Sequence, residues 1–154
     1  MADSIREKIM ANILTTFQTI SIANGFENNI ESVQRYEQND QNLQATPAII
    51  IVEGVESSED SPDPLTTNVL IVEGMLYASH DRTASISTAE FLNKFIQDIK
   101  KAIKVDNTRG ANAVDSMIKS SEPFETDEDQ PFVGIIFDIE VTYRHRQTDP
   151  TIVG

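Results

Sequence analysis

The chain has 154 residues, 12 Lys and Arg against 25 Asp and Glu, and a formal net charge of −13. That length suits one domain, and 39% hydrophobic residues supply one ordinary core. With no Cys, disulfide scaffolds, zinc ribbons and thiol catalysis are excluded, while the acidic balance argues against a phosphate-tracking groove or binding to an anionic membrane. No apolar run approaches the ~20 residues of a membrane helix. Asp3, Arg6, Glu7 and Lys8 make the start amphipathic rather than secretory, so a soluble cytosolic protein is expected.

Ser4 and Glu7 form a capping-box pattern. Ile5, Ile9, Ile13, Phe17 and Ile20 then recur at helical spacing, widened by Met10 and Leu14. This predicts an amphipathic helix over residues 4–19, closed by Asn24 and Gly25. Residues 30–36 read as a weak strand and 37–44 as a polar loop. Pro47 introduces Ala48, Ile49, Ile50, Ile51 and Val52, a β-branched run of the kind buried in a sheet. Residues 55–64 are acidic with two prolines and predict a solvated connection. Strand character resumes at Val69, Leu70, Ile71 and Val72 and continues to Tyr77, giving a hairpin with a long acidic tip.

Ser87 and Glu90 repeat the capping box ahead of a second helix, whose apolar face is Phe91, Leu92, Phe95, Ile96, Ile99 and Ile103. At 100° per residue Lys94, Lys100, Lys101 and Lys104 fall on the opposite side. Residues 106–112 read as a loop, 113–120 as a strand and 122–130 as an acidic linker. The closing strand has the clearest period-2 signal, with Val133, Ile135, Phe137, Ile139, Val141 and Tyr143 on one face. The order predicts an α+β domain spanning 1–154: one mixed, largely antiparallel sheet of four to five strands packed with two amphipathic helices. Acidic loops are expected near 55–66 and 122–130, and a short C-terminal tail at 147–154.

Few residues invite chemistry. His80 and His145 are the only imidazoles, and neither sits in a nucleophile or zinc motif. Asp138 and Glu140 share a strand face and offer paired carboxylates for a divalent cation or acid–base work; the plainer reading is a solvated polar face. The acidic runs at 56–63 and 125–129 lack EF-hand spacing, and the isolated glycines form no phosphate cradle. Charge placement says more. From Tyr36 through Asp81 there are nine acids and no Lys or Arg, and 120–143 is likewise free of cations. Basic residues gather in the two helices and at Arg144 and Arg146. A protomer with unlike faces can associate head to tail and close into a ring.

Several segments together resemble the tail-terminator (tail-completion or minor tail) proteins of tailed bacteriophages. They are the opening Ile5, Arg6, Glu7, Lys8 and Ile9, the apolar strand from Pro47 to Val52, the strand Asn68, Val69, Leu70, Ile71 and Val72, and the helix around Phe91 to Ile103. The closing strand from Phe137 to Arg146, followed by Asp149 and Pro150, completes the set. The resemblance implies a non-enzymatic structural virion protein without metal or cofactor. It forms a ring, typically a hexamer, that caps the tail tube, ends its polymerisation and joins the head connector or stopper at the tail–neck junction, after assembly in the host cytoplasm. Partners would be other copies of the chain, tube protein and connector, with DNA passing through the channel unbound and no membrane involved. Subunit-contact candidates are Lys94, Lys101, Lys104, Asp138, Glu140, Arg144 and Arg146. Acidic loop or channel candidates are Glu56, Glu59, Asp60, Asp63, Glu125, Asp127, Glu128 and Asp129. Alternatives are another neck component (stopper or adaptor), a small-molecule-binding α+β regulatory domain, and a hydrolase using Asp138 or Glu140.

Overall fold

Helix α1 (Ile5–Gln18) starts where the Ser4 hydroxyl accepts the Glu7 N–H at 3.1 Å, and α2 (Thr88–Val105) starts where Ser87 does the same for Glu90 at 3.2 Å. Each N-cap satisfies one orphan donor of its first turn. The computed structural model describes residues 2–35, 45–80, 85–125 and 132–154. Its strands are β1 (Ser32–Arg35), β2 (Ala48–Asp60), β3 (Leu65–Ser79), β4 (Asp115–Glu125), β5 (Phe132–Arg146) and β6 (Asp149–Val153). They form one mixed sheet in the order β1-β2-β3-β5-β4, with β6 also paired to β5. Only β1 and β2 run parallel. The fold is α+β.

Alternation in β5 decides where the core lies. Val133, Ile135, Phe137, Ile139, Val141 and Tyr143 are all buried, together with Leu70, Val72, Leu76 and Ala78 of β3 and Ile49 and Ile51 of β2. Both helices lay their apolar stripes on this face, α1 through Ile5, Ile9, Ile13 and Phe17 and α2 through Leu92, Phe95, Ile99 and Ile103. Gly74 stands opposite Phe137 in the register, and a Cβ there would meet the Phe137 ring at 2.2 Å. That gap lets Phe137 lie across β3 and meet Phe17 edge to face, with centroids 5.9 Å apart.

Two buried charges tie the helices down. Asp98 is 1% exposed and accepts the backbone N–H groups of Glu27 and Asn28, at 3.0 and 2.9 Å, and the Asn28 amide at 2.9 Å. It therefore fixes the segment after α1 onto α2. Arg109 is fully buried and donates to the Ile103 carbonyl at 2.6 Å, to the Asp106 carbonyl and to Thr16 Oγ1 at 3.1 Å. One guanidinium thus satisfies orphan carbonyls at the end of α2 and grips α1. Burial lowers its pKa, against the raising charge of Asp106.

Several boundaries depart from the sequence reading. The acidic connection expected at 55–64 is mostly strand: β2 runs to Asp60, and the reversal occupies residues 61–64. Polar residues pair here because β3 offers a complementary edge, with Glu59 opposite Thr67 and Asp60 opposite Thr66, and the Thr66 hydroxyl donates to Asp60 at 2.6 Å. Residues 122–125 likewise belong to β4. Among the described residues the sheet has six strands rather than four to five, because the expected tail forms β6. Asp149 accepts from the Thr151 N–H and hydroxyl at 3.0 and 2.6 Å, and β6 covers the edge of β5 beyond the reach of β4. Asn24 and Gly25 close a short 3-10 turn at Ile22–Asn24, with Gly25 at φ 90°; α1 itself has already ended at Gln18. The polar loop expected at 37–44 lies outside the described residues.

Urea unfolding checks this account of the core. Gly74→Ala is expected to cost about 1–3 kcal/mol through overpacking against Phe137. Arg109→Ala is expected to cost about 3 kcal/mol through lost charged hydrogen bonds and a cavity.

Candidate functional site

The strands carry a second face, turned away from the helices. On it Asp138 of β5 stands directly opposite Glu73 of β3, and like charges in that position repel. Asp138 accepts the Ser120 hydroxyl at 3.2 Å. Glu140, two residues on, is held by Lys119 at 3.0 Å, from the irregular step between Ile118 and Ser120. Around these acids lie Val52, Ile71 and Met75, half-buried, and Ile136 and Met117, 43% and 42% exposed. At one end Tyr77 and Phe124 meet edge to face at 5.4 Å, across the Gly134 position between them. A Cβ on Gly134 would meet the Phe124 ring at 2.4 Å.

The helical layer presents the opposite sign. Lys100, Lys101 and Lys104 are exposed and Lys94 is half-buried. Lys101 donates to the Gly25 carbonyl at 2.7 Å and sits over the Phe26 ring. Lys104 donates to the Ser116 carbonyl at 3.0 Å and pairs with Asp115 at 3.5 Å. Both are partly engaged by their own chain, while Lys94 and Lys100 make no ion pair among the described residues. Arg144 and Arg146 are exposed near the β2–β3 reversal.

The acidic candidates scatter. Glu59 and Asp60 lie on β2 and are exposed; Asp63 lies in the reversal and accepts from the Ser61 hydroxyl. Glu125 ends β4. Asp127, Glu128 and Asp129 fall outside the described residues. Glu56 is a correction: it belongs to a strand rather than a solvated loop, and its side chain faces the α1 side of the sheet. There it pairs with Arg6 at 3.3 Å and accepts the Tyr143 hydroxyl.

Glu56 is part of a cluster under the start of α1. Arg6 pairs with Glu53 at 3.3 Å, Arg35 makes a two-pronged contact to Glu7 at 2.6 and 3.1 Å, and Arg35 also approaches Glu53 at 3.6 Å. Glu7 therefore serves as a partner for β1, while its position in the first turn also suits the helix dipole. Burial alone would lower the Arg6 pKa, but the Glu53 hydrogen bond and the Glu56 charge hold it above its ordinary value. Burial, then the Glu56 hydrogen bond and charge, pushes the Tyr143 hydroxyl well above the usual phenol range.

His80 stacks on Phe91 at 4.4 Å beyond one end of β3, whereas His145 pairs with Thr66 at the other end, so the two imidazoles do not converge. Among the described residues no trio of His, Asp or Glu is placed to hold a metal ion, and no helix is long and apolar enough to cross a membrane. A groove of about 340 Å³ between the C-terminal ends of α1 and α2 is lined by Thr15, Thr16, Thr19, Phe26, Lys101 and Val105. Its hydroxyls are already engaged: Thr15 and Thr19 donate to helix carbonyls at 3.1 and 2.6 Å, and Thr16 accepts from Arg109. No protein-family model matches the sequence, and no curated protein matches it.

Sequence reasoning passed over Glu73, Asp98, Arg109 and the Arg6–Glu53–Arg35 cluster. Asp98 carried a readable signal, since it shares helical spacing with Phe91, Phe95 and Ala102. The others depend on strand register or a turn and carried none.

Tyr143 gives a pH test. A phenol whose folded pKa is raised contributes stability below the unfolded value, about 10, and that contribution is lost as pH rises beyond it. Melting temperature is therefore expected to fall above pH ~10, and Tyr143→Phe is expected to flatten that alkaline fall. Parallel thermal melts from pH 8 to 11 compare the two proteins.

Proposed function

We propose that this chain is a structural assembly subunit of the tail-terminator kind, closing into a ring that caps a phage tail tube and joins it to the head connector. The observation that carries the reading is the division of charge between layers: lysines cluster on the helical exterior, while the opposite sheet face carries Glu73, Asp138 and Glu140 among apolar side chains. Unlike faces on opposite sides of one subunit make a head-to-tail contact, and such a contact generates a ring when its rotation closes. The resemblance in the opening helix, the apolar strands and the closing strand supports the same role.

Net charge suits the task. Each subunit adds a net charge of −13, so a ring repels DNA phosphates and lets a genome pass without the counterion release that drives binding to a basic lining. The same charge opposes assembly, which makes the contact dependent on salt. Electron micrographs of the purified protein, alone and with tube protein, are expected to show closed rings with a central hole. Light scattering should show assembly rising between about 0.01 and 0.15 M salt, as the screening length falls from about 30 to 8 Å, then weakening toward 1 M, where it is about 3 Å. A monomer under every condition overturns the proposal.

A further inference from the structure

We infer that the sheet face around Glu73 and Asp138 is covered by the α2 exterior of a second copy of this chain, with Lys94 and Lys100 supplying the cations. The inference rests on the ring reading above and specifies its contact. Glu73 and Asp138 face each other across β3 and β5, and neither has a cationic partner among the described residues. The nearby Lys119 is taken by Glu140. Glu73 is exposed and Asp138 half-buried beside Ile71, Met75 and Ile136; like charges directly opposite each other repel, and a cation from outside relieves that repulsion.

The surroundings select the kind of cation. A divalent ion needs about six oxygen ligands, and two carboxylates ringed by Ile71, Met75 and Ile136 do not provide them. A lysine fits both parts of the face, because its aliphatic stem covers apolar surface while its ammonium reaches the acids. The described surface holds such lysines on α2. Lys94 and Lys100 lie about 9 Å apart along the helix axis and have no ion pair of their own, whereas Lys101 and Lys104 are held by Gly25, Ser116 and Asp115. The acid in the first turn of α2, Glu90, lies one turn from Lys94 without forming an ion pair with it, and at the opposite end of the helix from Lys100. Because the donor and acceptor faces lie on opposite layers of one subunit, the contact is head to tail and repeats in one direction, forming a ring when its rotation closes, rather than closing as a pair.

A charge exchange tests this. Glu73→Lys with Asp138→Lys gives a chain whose two faces are both positive, and Lys94→Glu with Lys100→Glu gives one whose faces are both negative. Each alone is expected to lose assembly by about tenfold or more, read by light scattering at fixed concentration, with circular dichroism unchanged. Mixed one to one they should assemble again, as alternating rings, and all four changes in one chain should restore assembly without a partner. If the wild type forms rings and both variants do so unimpaired, or if neither the mixture nor the fourfold variant recovers, this contact is wrong while the ring reading stands. A wild type that never assembles overturns both.

Discussion

The buried face of β5 is the constraint on which the rest of the structure depends. Six alternating side chains from Val133 to Tyr143 need cover from one direction only, and two amphipathic helices provide it. β3 and β2 extend the same apolar floor through Leu70, Val72, Leu76, Ile49 and Ile51. The alternate side chains of those strands point to the other face, because a strand's side chains alternate, while a few polar groups such as Glu56 and Asn68 stay on the helix side. Glu73, Asp138 and Glu140 lie on that second face, part of which is buried, at Ala48 and Ile50.

Hydrophobic burial places helices on a sheet but leaves their position along it loosely defined. Directional contacts set it. Asp98 and Arg109 fix the C-terminal part of α1 and its following turn against α2, and the Arg6–Glu53–Glu56–Tyr143 cluster fixes the start of α1 against β2 and β5. Each is a charged group largely removed from water and satisfied by several partners, so sliding a helix would strand it. Specificity of position is the main effect of these groups.

The two outer surfaces then differ in kind. On the helical side, lysines stand where the amphipathic pattern puts polar residues, Lys101 and Lys104 being held by carbonyls of their own chain. On the sheet side, exposed Glu73 and half-buried Asp138 and Glu140 stand among aliphatic side chains, of which Ile136 and Met117 are more than 40% exposed. That asymmetry is the feature on which the proposed head-to-tail contact draws.

Much of this was legible in the chain itself. Helical and strand periodicities located both helices, the hairpin and the closing strand, because burial of one face imposes a period that the order of residues reveals. Both serine caps were readable for the same local reason. What only tertiary structure decided were the features that depend on a partner strand. Residues 55–60 look like a loop until β3 gives them an edge to pair with, and residues 149–153 look like a tail until β5 does the same. Glu56 turns from a loop acid into a ligand of Arg6 and Tyr143, and Glu73 meets Asp138, because register between distant segments sets which side chains become neighbours. A local pattern records which face is apolar; it holds no record of what stands opposite.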